Sequence, residues 1–163
     1  MIFREGDPVM HWTYGLGKIM RLEVRNISGR NLPYYAVQIG DMTVWVPADG
    51  MLENRLRPPT SKERFTDLLA ILSGAGDPLP ENSHERKTLL MELLRDGHAE
   101  SLCQVIRGLT AYQRVHQLND TDHGLLKRAK SALFGEWSFA LSVTPAQAEF
   151  ELHCLLSSGA TGD

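Results

Sequence analysis

Pro58-Pro59 divides this chain into two stretches whose apolar residues recur with different periods. Strands send alternate side chains to opposite faces, whereas helices repeat every 3.6 residues, so neither stretch can fold as the other does. Before the proline pair, Phe3, Val9, Ile19, Leu22, Val24, Tyr35, Val37, Ile39, Val44 and Val46 fall in short alternating runs. The runs are separated by Glu5-Gly6-Asp7-Pro8, Tyr14-Gly15-Leu16-Gly17, Ser28-Gly29-Arg30-Asn31 and Gly40-Asp41. Short strands with turn chemistry at this spacing predict a small antiparallel β-barrel over residues 1–57.

After the prolines the period changes at once. Thr60 with Glu63 reads as a capping box ahead of an apolar stripe of Phe65, Leu68, Leu69 and Leu72. Asn82 with Glu85 opens a second helix that carries Leu90, Leu93 and Leu94 and stops at Asp96-Gly97. Leu102, Val105, Ile106 and Leu109 mark a third, and Leu125, Ala129, Leu133, Trp137 and Ala140 a fourth. Thr144-Pro145 with Gln147 starts a fifth. Five helices in residues 60–157 make one bundle, so the predicted class is α+β: a barrel followed by an all-α domain.

The stretch "TYGLGK" invites a phosphate-loop reading. A Walker loop needs glycine five places before the Gly-Lys pair and Ser or Thr after it, but Trp12 and Ile19 stand there. The glycines are therefore corner residues, supplying positive φ or room for close backbone approach. Six histidines are scattered without metal-ligand spacing, and no nucleophile, base and orienting group come together in the pattern. No enzyme, cofactor, metal or small-molecule substrate is expected. Cys103 and Cys154 lie in helical apolar patterns and read as small buried hydrophobes. The opening MIFREGD lacks the apolar core of a secretory leader, and no later run nears membrane-spanning length, so a cytoplasmic protein without membrane contact is expected. A net charge of −3 carries no general signature of polyanion binding.

The order of these elements, with their motifs, resembles the CarD/CdnL family of bacterial RNA polymerase-binding transcription regulators. Phe3, Gly6-Asp7, Val9, Gly15, Gly17, Ile19, Leu22-Glu23, Ile27 and Gly29 match the family's opening motif. Tyr35-Ala36-Val37, Val44, Val46-Pro47 and Leu56-Arg57 match its later strands. Val105-Ile106-Arg107 with Leu109, and Ala129-Lys130 through Gly135-Glu136, resemble its two helical motifs. The resemblance implies a Tudor/SH3-like barrel that docks on the polymerase β subunit, as a similar domain of the transcription-repair coupling factor does. It also implies a helical domain that lies against promoter DNA and shifts the balance of closed and open complexes.

On that resemblance, Arg25 falls where family members place a polymerase-contacting arginine; read alone, it is a solvated residue ending a strand. Trp45 sits between Val44 and Val46, so valines facing the core would turn the indole outward as an interface anchor. Packing of Trp45 against the first bundle helix, near Phe65, is the alternative. The family's DNA-wedging tryptophan corresponds to Ser83, which cannot stack on a base. Arg86, Lys87 and Arg128 remain as weak phosphate contacts, whereas Lys127 and Lys130 read as a wetted helix face. Residues 61–163 hold ten Lys/Arg against fourteen Asp/Glu, a net of −4, which favours an adaptor without DNA function as the second reading. Glu136 lies on an apolar stripe, where a lone carboxylate is costly, so an ion pair with Arg107 is expected.

Overall fold

The computed structural model describes residues 2–161, which divide between Pro59 and Thr60 into two compact units. The first unit is a five-stranded antiparallel sheet of β1 (Pro8–His11), β2 (Gly15–Ile27), β3 (Arg30–Ile39), β4 (Met42–Pro47) and β5 (Leu56–Arg57). Its strand order is β4-β3-β2-β1-β5. Its core holds Phe3, Val9, Ile19, Tyr35, Val37, Ile39, Val46, Leu52 and Leu56. The Tyr35 hydroxyl accepts the Phe3 N–H at 3.1 Å, tying the incoming chain to β3.

The two glycines of the false phosphate loop do different work. Gly15 adopts φ +84°, a left-handed turn conformation that L side chains resist. At Gly17 a Cβ would come within 2.6 Å of Ile39 Cγ1 and 2.9 Å of the Gln38 carbonyl, so only a bare backbone fits between β1 and β3. Ser28-Gly29, at φ +54° and +80°, turns β2 into β3 with the paired positive φ of a tight hairpin.

A β-bulge at Met20 decides the faces of β2. Ile19 pairs with Val37, yet Arg21 pairs with the very next β3 residue, Ala36. The extra residue flips the alternation, so Ile19 faces the core while Arg21, Glu23 and Arg25 face away from it. Leu22 and Val24 return to the inner face but lie 56% and 65% exposed, because β2 and β3 run past the end of the core as a long hairpin. Their alternation marks strand, and their burial does not follow.

The second unit contains α1 (Lys62–Leu72), α2 (Ser83–Asp96), α3 (Ala99–Gln113), α4 (Asp120–Leu141) and α5 (Pro145–Thr161). Its core runs from Phe65 and Leu72 through Leu90, Val105, Ile106 and Leu109 to Leu133, Trp137, Ala148 and Leu152. Phe65 packs on Trp137 with ring centroids 5.8 Å apart. The caps at Asn82 and Thr144–Gln147 form as the sequence indicates. The first helix starts one residue later than expected, with Ser61 Oγ accepting the Arg64 N–H. Thr60 lies outside the cap, and its N–H donates to Glu136 Oε2 at 2.7 Å.

That bond overturns the expected Arg107–Glu136 pair. Arg107 sends one guanidinium nitrogen to the carbonyls of Leu72 and Leu156, at 3.2 and 3.4 Å. It thereby sits as a cation at the carbonyl end of α1, where the helix dipole favours positive charge. Burial, reinforced by nearby Arg114, lowers its pKa. Cys154 is a further correction: Cys103 is buried, but Cys154 is exposed on α5. Burial first, then the charges of Glu136 and Glu100, push the Cys103 thiol up to about 12, leaving it unreactive.

Candidate functional site

The bulge in β2 assembles a surface on the outer face of β2, β3 and β4. Cross-strand partners share a face, which gives the rungs Arg21–Ala36–Trp45 and Glu23–Tyr34–Pro47, with Arg25 opposite Leu32 beyond them. Strands lie about 4.8 Å apart, so β4 and β2 are separated by roughly twice that distance. The Trp45 ring spans the gap because Ala36, between the two strands, has no side-chain bulk beyond Cβ. The guanidinium carbon of Arg25 lies 4.3 Å from the Trp45 ring centroid, and that of Arg21 lies 5.2 Å from it. Two cations therefore approach one aromatic ring, a geometry worth about 0.5–1 kcal/mol per exposed contact.

The two arginines are not equivalent. Arg21 donates from Nε to Glu23 Oε2 at 3.0 Å, an exposed pair that contributes little stability but occupies the guanidinium. Arg25 has no carboxylate within ion-pair distance among the described residues. Its charge is held in place by the indole and is available to a partner. Trp45 is half-buried, with Val46 in the core and Val44 packed against it. Arg21 was not singled out in the sequence, since plain alternation would place it on the same face as core residue Ile19.

The positions expected to face DNA separate sharply. Ser83, Lys87 and Arg128 are exposed on α2 and α4. Arg86 is not: it is 3% exposed and forms a two-pronged ion pair with Asp122. Its Nε reaches Asp122 Oδ1 and one terminal nitrogen reaches Oδ2, both at 2.9 Å. The other terminal nitrogen donates to the Pro80 and Glu81 carbonyls and to the Tyr112 hydroxyl. All three guanidinium nitrogens are thus engaged within the protein, and the expectation of a phosphate contact from Arg86 is corrected. Helical period explains it, because Arg86 lies four residues before Leu90 on the inner face of α2.

Asp122 serves two purposes, since its carboxylate also accepts the Asn119 N–H in the reciprocal cap of α4. Burial raises its pKa, but hydrogen bonds from Arg86 and Asn119 outweigh that, and the net shift is downward. For Arg86, the hydrogen bonds from its guanidinium to Asp122 outweigh desolvation, and its pKa rises. The Asn119-x-x-Asp122 spacing was the sequence signal for this partner.

In the first unit, His11 is buried and its Nδ1 accepts the N–H groups of Thr13 and Tyr14 at 3.1 and 3.2 Å. Nδ1 must therefore be unprotonated, and burial lowers the imidazole pKa. Among the described residues no cluster of His, Cys, Asp and Glu could hold a metal ion, and no helix is long and apolar enough to cross a membrane.

Residues 3–59 match the family model described as CarD-like/TRCF RID domain, and residues 67–153 match that described as CarD, C-terminal domain. A Tudor-like sheet unit of the polymerase-interacting type followed by this helical domain defines a transcription-associated protein that interacts with RNA polymerase. The chain belongs to the CarD/CdnL family. Sheet domains of this kind bind the polymerase β subunit in general.

Proposed function

We propose that this chain is a non-enzymatic transcription regulator that docks on the polymerase β subunit through the outer face of β2–β4. Arg25 and Trp45 are its principal contacts. The bundle touches promoter DNA weakly, through phosphate contacts from Lys87 and Arg128 beside Ser83, and modulates formation of the open complex. Such a factor works in the cytoplasm and moves that equilibrium only by its preference for one complex. The Arg25–Trp45 stack carries the reading: an aromatic and an uncommitted guanidinium already joined on an exposed sheet face, the residue types that dominate binding energy at interfaces.

A second reading is favoured by Arg86. With its guanidinium taken up by Asp122, with serine where relatives wedge a tryptophan into DNA, and with a net of −4 over residues 61–163, the chain fits a polymerase-bound adaptor without DNA function. A promoter-opening assay with purified polymerase separates the two. The regulator changes open-complex lifetime, and the Lys87→Ala/Arg128→Ala double variant flattens the salt dependence by about two units of slope, one per phosphate contact. Clear polymerase binding with an unchanged lifetime favours the adaptor. Absence of binding to the β subunit by the full chain overturns both.

A further inference from the structure

The helix α5 is apolar on two opposite faces. Its inner face places Ala148 and Leu152 in the bundle core, with Leu155 and Leu156 packed against it. Its outer face repeats Ala146, Phe150 and Cys154 four residues apart, and these line a shallow groove of about 470 Å³ together with Gln147 and Glu151. Phe150 is 71% exposed, although it sits in the middle of a helix whose start is fixed by the Thr144–Gln147 cap. A large apolar side chain held in water on a rigid element, within a continuous apolar strip, marks an interaction surface.

The charge around it restricts the occupant. No Lys or Arg occurs from Ser131 to Asp163, while Glu149 and Glu151 bracket Phe150. Nucleic acid is disfavoured there, because phosphates would meet carboxylates with no cation on the same helix to offset them. A second copy is disfavoured too: two-fold pairing of α5 would bring Glu149 and Glu151 onto their own counterparts. A helix with one apolar face and Lys or Arg along its margins satisfies both features. Its apolar side chains fill the groove beside Phe150 and its cations meet the two glutamates.

We propose that the outer face of α5 docks a basic amphipathic helix of a partner protein. This surface is separate from the sheet face that carries Arg25 and Trp45, and the proposal does not depend on polymerase binding. The probe is a fluorescein-labelled 14-residue peptide of amphipathic Leu/Lys repeat, titrated with the 163-residue chain at physiological salt, beside a Leu/Glu peptide of the same apolar pattern. The Leu/Lys peptide should bind and the Leu/Glu peptide should not. Phe150→Ser, at an exposed site, should weaken binding at least tenfold with the helical circular-dichroism signal intact. Glu149→Gln/Glu151→Gln should weaken it severalfold and reduce its salt dependence. Equal binding to wild type and Phe150→Ser, equal binding of both peptides, or no binding of either would overturn the proposal. So would a concentration-dependent dimer in sedimentation that Phe150→Ser abolishes, since a second copy would then cover the face.

Discussion

Arg86 and Asp122 are joined by two parallel N–H···O bonds of 2.9 Å each, in a region where the side chains are 4% and 1% exposed. The pair ties the first turn of α2 to the first turn of α4 and, through the Pro80 and Glu81 carbonyls, fixes the loop that delivers Ser83. A residue expected to meet DNA instead orders the helix end that would present such contacts.

Breaking this pair should therefore cost stability. Arg86→Ala leaves a buried carboxylate uncompensated, a loss of about 3–5 kcal/mol. Chemical denaturation of the bundle should report it as a lower midpoint. Arg86→Lys should recover little, since an ammonium cannot supply the fork. A change below about 0.5 kcal/mol, the range of ordinary surface substitutions, would contradict the assignment.

Acid should act through the same carboxylate. The folded-state pKa of Asp122 is lower than its unfolded value, so its contribution is present above that unfolded value, about 3.9, and lost as pH falls through the folded one. Urea midpoints should drop between pH 5 and 2 in the wild type and less steeply in Asp122→Asn. Parallel curves would exclude Asp122 as the titrating group.

His11 should respond in a higher range. Its pKa is also lowered on folding, so the neutral form is the one that stabilises the sheet unit. That contribution is complete above about pH 6.5, the unfolded value, and declines as pH falls toward the folded one. Protonation of Nδ1 breaks both bonds to Thr13 and Tyr14. Imidazole NMR should yield a His11 pKa below 6.5; a value at or above it would contradict the burial of the ring.

On the sheet face, Trp45→Ala should weaken binding to the polymerase β subunit even with Arg25 intact, because the ring positions the guanidinium. A double-mutant cycle with Arg25→Ala should give a coupling of about 0.5–2 kcal/mol, the range for stacked cations. Additive effects would mean that the two residues act separately. Affinity should be read by interferometry, with thermal melts confirming that Trp45→Ala remains folded.

At the hairpin corner, Gly17→Ala should destabilise the sheet unit by about 1–3 kcal/mol through overpacking against Ile39 and the Gln38 carbonyl. Gly15→Ala meets open space and should cost about 1–2 kcal/mol from its left-handed backbone alone. Calorimetry on the two variants distinguishes crowding from backbone strain, since Ile39→Ala, which removes Cγ1, should cost less in the Gly17→Ala background than in the wild type, and the same in the Gly15→Ala background.

Local chemistry, written directly in the order of residues, determined much of this protein. The change of period at Pro58-Pro59 separates strand from helix, the glycines mark the corners, and Asn82 and Thr144 start their helices wherever the rest of the chain goes. These choices depend on neighbours within a few positions. What only the tertiary structure decided depends on neighbours far along the chain. One extra residue at Met20 reverses which side of β2 meets the core, and thereby brings Arg21 and Arg25 onto the Trp45 ring. Arg86 finds Asp122 thirty-six residues away, and Glu136 turns to the Thr60 backbone in place of Arg107. A charged side chain on a half-buried face has several possible partners, and only the packed core determines which of them comes within hydrogen-bonding distance.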